Sequence, residues 1–135
     1  MQKSYQAYAN NQILTASQDK LLLMLFDGMV RFTKNAAQAC GEGKIEETNA
    51  NLVKAQGILT QLMGNLNPDT GEIAGNLEQI YDYMHHQLVQ ANIKKDGSMI
   101  DEVHGMAMEL REVWREAAMD ARRGEAIHGR ATAGE

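Results

Sequence analysis

Three acid–histidine pairs sit at helical spacing: Asp82-x-x-His85, Asp101-x-x-His104 and Glu125-x-x-His128. Residues three apart on a helix share a face. A carboxylate and an imidazole repeated on facing helices would hold a di-iron or di-manganese centre, provided two further helices each add an inward Glu. The phases here oppose that chemistry. His85 follows the core position Met84, and Asp82 falls roughly opposite the inner stripe. His104 adjoins the core position Val103, but Asp101 opens its helix. Glu125 and His128 fall in a polar tail. The inner stripes of the first two helices carry no Glu. The pairs read as solvated polar faces, His85-His86 reads as surface, and neither a metal nor another cofactor is expected.

Nucleophilic chemistry has no better support. No Ser or Cys has an arguable base partner. Cys40 is the sole cysteine, so by itself it forms neither an internal disulfide nor a zinc site. It lies near a helix C-terminus, and the negative end of a helix dipole does nothing to activate a thiol. An enzyme is not expected.

The elements that position these residues are helices. In 135 residues, 44% are apolar and 5% aromatic, with one proline, Pro68, and few β-branched runs. That mix favours helix around one real core. The net charge of -5 argues against nucleic acid, since phosphate binding needs a basic stripe. The basic pairs Lys94-Lys95 and Arg122-Arg123 read as helix-end charges. No signal peptide is visible, and the longest apolar run, Leu21 to Phe26, is too short to span a bilayer. The expectation is a cytoplasmic protein that does not insert into a membrane.

Four apolar stripes predict four helices. The first runs from about Ser17, its N-cap, to about Cys40, with Leu22, Leu25, Met29, Phe32, Ala36 and Ala39 inward. The second runs from about Ile45 to about Leu66, with Ile45, Leu52, Ala55, Leu59, Leu62 and Leu66 inward and Val53, Ile58 and Met63 flanking. The third runs from about Glu72 to about Asn92, with Ile73, Leu77, Ile80, Met84, Leu88 and Ala91 inward. The fourth runs from about Met99 to about Arg123, opened by Ser98 and Asp101 as a capping box, with Val103, Met106, Leu110, Val113, Ala117 and Ala121 inward. Short connections make the fold class all-α, an antiparallel up-down four-helix bundle. Residues 1–16 form an extended N-terminal arm, 17–123 the bundle, and 124–135 a small, polar, disordered tail.

The first helix has more apolar surface than its stripe needs. Leu21, Leu23, Met24 and Phe26 lie outside it. Two readings stand: a central helix touched on several sides, or a groove for amphipathic partner helices. Nine methionines suit adaptable contacts. In the arm, Tyr5 and Tyr8 pair apolar rings with hydroxyls, and Ile13-Leu14 adds an apolar pair. Such an arm reads either as a frayed terminus or as a cover over a groove.

The wording of several segments is specific. Tyr8…Ile13-x-Thr15-Ala16-Ser17 leads into Lys20-Leu21-Leu22-Leu23-Met24-Leu25-Phe26-Asp27-Gly28. Asn51-Leu52-Val53-Lys54-Ala55-Gln56-x-Ile58-Leu59 and Leu62-Met63 follow, then Gly71-Glu72-Ile73-Ala74-x-Asn76-Leu77 and Ile80-Tyr81-Asp82-Tyr83-Met84. Leu88-x-x-Ala91-Asn92-Ile93, Glu102-Val103 and Leu110-Arg111-Glu112-x-Trp114 complete the set. In order and spacing, from about residue 5 to about residue 115, these resemble the FliS family of flagellar secretion chaperones. Gln18 stands where that family often has proline after the cap serine, which helix initiation tolerates. The end of the chain after about residue 120 matches nothing in the family.

The resemblance implies a cytosolic protein that binds the C-terminal segment of flagellin and blocks its premature polymerisation. It also implies help in delivery, through transient contact with a component of the membrane export gate. The arm, here Tyr5, Tyr8, Ile13 and Leu14, would cover part of the groove. Groove candidates are Leu52, Leu59 and Met63 on the second helix and Tyr81, Tyr83 and Leu88 on the third. The alternative is a bundle adaptor taking amphipathic helices of another partner. Deleting residues 1–14 is expected to leave the bundle folded but change partner binding; loss of the cooperative thermal transition would make the arm structural instead.

Overall fold

The four stripes become four helices in a computed structural model, which describes residues 16–67 and 71–133, with side chains over 20–67 and 71–119 apart from Ile73. Helix α1 spans Ala16–Gly41, α2 Ile45–Gly64, α3 Glu72–Lys94 and α4 Gly97–Ala133. Each packs on its neighbours in sequence, and α4 returns to α1, so the four close into a ring. The connections are short enough to force successive helices antiparallel. No strand occurs among the described residues.

The apolar excess of α1 is largely core. Leu25 and Phe26 are buried along with Met29, Ala36 and Ala39. Phe26 stacks on Trp114 of α4, ring centroids 6.2 Å apart. On the opposite flank Gly28 meets α2. A Cβ built there would lie 2.8 Å from Ile58 Cδ1, so the missing side chain sets how closely α1 and α2 approach. Leu22, Leu23, Val30 and Phe32 fill the margins. Only Leu21 and Met24 among the large apolar residues of α1 stay exposed.

Several expected inward positions differ. Ile45, at the first turn of α2, is 65% exposed; the helix begins there, and no preceding turn covers it. Leu66 lies just beyond the end of α2 yet still packs on the core edge. Tyr81, Ile100, Ala107 and Ala118 are buried although the stripes passed beside them. Ile73 and Ala121 lie outside the described side chains, as does Ser17; the helix backbone already begins at Ala16, so Ser17 stands inside α1 and not at its cap.

The turns rest on specific backbone chemistry. Gly43 has φ 73° between α1 and α2, a conformation that suits glycine. Between α3 and α4, Lys95 takes φ 50° without being glycine, at a cost of about 1–2 kcal/mol. Its ammonium offsets this by donating to the Asn92 carbonyl at 2.7 Å and to Asn92 Oδ1 at 2.6 Å. Cys40 Sγ donates to the Lys95 carbonyl at 3.2 Å, tying the end of α1 to this turn.

The cap of α4 is Asp96 rather than the expected Ser98. Asp96 Oδ1 accepts from the Ser98 and Met99 amides at 3.0 and 3.4 Å, and from the Ser98 hydroxyl at 2.7 Å. That hydroxyl, and then the amides, hold the carboxyl below its usual range. The cap therefore contributes at neutral pH and is lost as pH falls through the folded-state value. Helix α4 continues in backbone to Ala133, past the expected end at Arg123. Residues 124–133 contain no proline to force a break, although Gly124 and Gly129 are poor helix formers.

Gly28 gives a direct check on the packing. Gly28→Ala is expected within about 1 kcal/mol of wild type in urea unfolding, because Ile58 Cδ1 can swing away and alanine favours helix. Gly28→Val should lose about 1–3 kcal/mol by overpacking. A valine variant of wild-type stability would show that the close approach is not needed.

Candidate partner-binding surface

The acid–histidine pairs are placed first. Asp82 and Asp101 are exposed, and His85 is half-buried in a shallow recess with Asp82, Tyr83, His86 and Val89. His104 turns toward α1 instead. Its Nδ1 lies 2.9 Å from Oγ1 of Thr33, a fully buried residue whose hydroxyl donates to the Met29 carbonyl at 2.7 Å. With the hydroxyl proton used there, the contact requires the proton on His104 Nδ1. His104 thus closes the hydrogen bonding of a buried polar group between α1 and α4. Among the described residues, no three His, Cys, Asp or Glu side chains gather as metal ligands.

The groove candidates divide sharply. Leu52, Leu59, Tyr81 and Leu88 are fully buried in the core, at 0%, 0%, 2% and 0% exposure, so they are corrected from groove to core. The reason is geometric: Leu52, Leu59 and Leu88 are the inner stripe itself, Tyr81 beside it also turns into the core, and a side chain that fills the bundle centre cannot also face a partner. Met63 is half-buried and lines a recess at the far end of α2 and α3 with Leu66, Ala74 and Glu78. Tyr83 is 45% exposed. Its phenol donates to Glu102 Oε1 at 2.8 Å, which Gln87 Nε2 also reaches at 3.0 Å. The bond to Glu102 raises the Tyr83 pKa. Tyr5, Tyr8, Ile13 and Leu14 lie outside the described residues.

What α2 and α3 do expose is a different apolar set. Asn92 Nδ2 donates to Asn49 Oδ1 at 2.7 Å and brings the outer edges of the two helices together. On α2, Ile45 and Val53 stand one turn to either side of Asn49, 65% and 52% exposed. On α3, Ile93 adjoins Asn92 at 71% exposure, with the half-buried Val89 one turn before it. The antiparallel run sets Val89 opposite Val53. This is an apolar seam with a neutral amide pair at its middle. The sequence held one clue to it: Val53 lies beside the inner stripe rather than in it, with space for a second contact.

The described residues thus form an all-α four-helix bundle with an apolar outer seam and with polar pairs committed to its own packing. Comparison with known proteins gives the family. Residues 1–121 match the family described as Flagellar protein FliS. The chain is 40% identical over 123 residues to the flagellar secretion chaperone FliS of Bacillus subtilis strain 168, covering 91% of this chain and 92% of that one. It is 35% identical over 119 residues to that of Vibrio cholerae (84% and 88% covered) and 34% over 122 residues to that of Salmonella typhimurium (88% and 90% covered). The chain belongs to the FliS family of flagellar secretion chaperones, whose work is non-enzymatic. Within the described residues, no helix is long and apolar enough to cross a membrane.

The Thr33–His104 contact is testable as structure. Thr33→Val should cost about 1–2 kcal/mol of unfolding free energy, because it removes a satisfied buried hydroxyl and strands His104 Nδ1. A double-mutant cycle with His104→Ala should show coupling of about 1 kcal/mol. Strict additivity would mean the contact carries no weight.

Proposed function

We propose that this chain is a cytosolic export chaperone for flagellin. It binds the C-terminal helical segment, hides the face that pairs during filament assembly, and brings the segment to the export apparatus at the membrane. The observation that carries this reading is the exposed seam of Ile45, Val53, Val89 and Ile93 along α2 and α3. A partner segment without fixed structure folds as a helix on such a seam. Its ordering entropy is offset by buried apolar area at about 25 cal/mol per Å². The relatives' names as flagellar secretion chaperones supply the exported class of partner. The arm residues Tyr5, Tyr8, Ile13 and Leu14 would compete for the apolar surface until the segment arrives, and transient contact with a membrane gate component would complete delivery.

Titration with a peptide from the C-terminal end of a flagellin tests the reading. A one-to-one complex with a gain in helical circular dichroism is expected, and Val53→Ser with Ile93→Ser should weaken it without changing thermal stability. Absence of binding at about tens of micromolar would instead favour an adaptor for some other amphipathic helix.

A further inference from the structure

The opposite flank of α2, facing α1, carries charge that no ion pair among the described residues takes up. The Arg31 guanidinium lies 4.8 Å from the centroid of the Phe32 ring, and Lys54 Nζ approaches the same ring at 5.4 Å from across the α1–α2 boundary. The ion pairs found among the described residues are Lys44–Glu42, Arg111–Asp27 and Arg115–Glu112; Arg31 and Lys54 are in none of them. Toward the α1–α2 turn, the surroundings become the amides of Asn35, Gln38 and Asn51. The acids beyond them are Glu42, already held by Lys44 at 3.0 Å, and Glu47, about two turns from Lys54 on α2.

In the other direction the same edge turns apolar. Leu21, Met24, Gly28 and Arg31 follow one another at helical spacing along α1, with Leu21 46% and Met24 60% exposed. A rise of 1.5 Å per residue puts Met24 and Arg31 about 10 Å apart along the axis. Between them Gly28 is buried against Ile58 of α2, and Asp27, the exposed acid of this stretch, is held by Arg111 of α4 at 3.6 Å. Gly57, one turn from Lys54, has open space where a Cβ would be. The edge therefore runs from apolar to cationic over two helical turns.

We infer that this α1–α2 edge receives an acidic stretch of the same flagellin segment. One carboxylate sits between Arg31 and Lys54, and an apolar residue about two turns away covers Leu21 and Met24. The inference rests on the flagellin reading and adds a charge requirement to it. Charge complementarity carries it. The chain has a net charge of -5, so most of its surface repels an acidic partner, while two cations gathered at one aromatic face attract it. The Phe32 ring holds those cations near one another before binding, which lowers the cost of organising them on contact.

The test compares wild type with Arg31→Gln/Lys54→Gln, both exposed positions, for binding of the flagellin C-terminal peptide by calorimetry. The double variant is expected to melt like wild type but bind about tenfold more weakly, with a smaller loss of affinity as salt is raised. Replacing the peptide's matching acid by its amide should weaken wild type similarly and the variant little further. Wild-type affinity and salt dependence in the double variant would overturn the inference while leaving the flagellin reading intact. Absence of peptide binding by wild type itself would remove the reading and this inference with it. Arg31→Glu/Lys54→Glu, which reverses the charge, should lower affinity further still; unchanged binding there would overturn the inference equally.

Discussion

Everything in this bundle depends on α1 meeting two neighbours at once. A helix that packs on both flanks cannot keep a narrow stripe. It needs apolar or small residues around more than half of its circumference. Phe26 answers α4 through Trp114, Gly28 answers α2 through Ile58, and Met29 and Ala36 face the centre between them. The apolar excess of α1 is thus consumed by the fold nearly in full. Had it been a groove, the core would lack its aromatic contact and α2 would have no close seat.

With the centre largely apolar, polar atoms settle alignment at the margins. Thr33 and His104 join α1 to α4, Asn49 and Asn92 join α2 to α3, and Cys40 reaches the Lys95 carbonyl in the α3–α4 turn. Each is modest in net energy, about 1 kcal/mol. Each also links two helices at a defined height, so sliding one helix by a turn would break a bond that has no substitute nearby. A bundle fixed in this way holds its helices in one register. For the proposed partner that matters, since a pre-organised surface leaves only one side of the complex to lose conformational freedom.

Periodicity in the sequence carried the elements well, because four stripes with turn residues between them admit few arrangements. It carried the surface poorly. Leu52 and Val53 are adjacent and both apolar, yet one is core and the other open to solvent. Tyr81 and Tyr83 split the same way. A stripe identifies the inward face to within about one residue, and the surface that binds a partner begins at that uncertain margin. Ile45 failed for another reason: at a first turn, the neighbour that would cover a stripe residue is missing. The α4 cap failed because Asp96 and Ser98 are equally good cap residues, and only the backbone path selects between them. The arm is the opposite case, since its meaning came from family wording and not from any pattern of burial.

The split at Leu52-Val53-Lys54 has a consequence for how one slender helix can serve as a platform. Successive residues on a helix point about 100° apart, from 3.6 residues per turn. Leu52 therefore faces the core, Val53 the α3 side, and Lys54 the α1 side. Helix α2 has neighbours on two flanks but none outside, and the outward positions on either side of Val53-Lys54 are small, Ala50 and Gly57, with Gln61 and Gly64 beyond. Helical glycines cost about 1 kcal/mol each relative to alanine, and at Gly57 and Gly64 nothing in the bundle comes within 4 Å of where a Cβ would stand. Their effect on the surface is nevertheless definite. They leave a low ridge between the apolar seam at Val53 and the cationic edge at Lys54, so a chain lying on one flank can cross to the other without lifting away. A taller outer face would separate the two surfaces, and a partner would then have to choose between them.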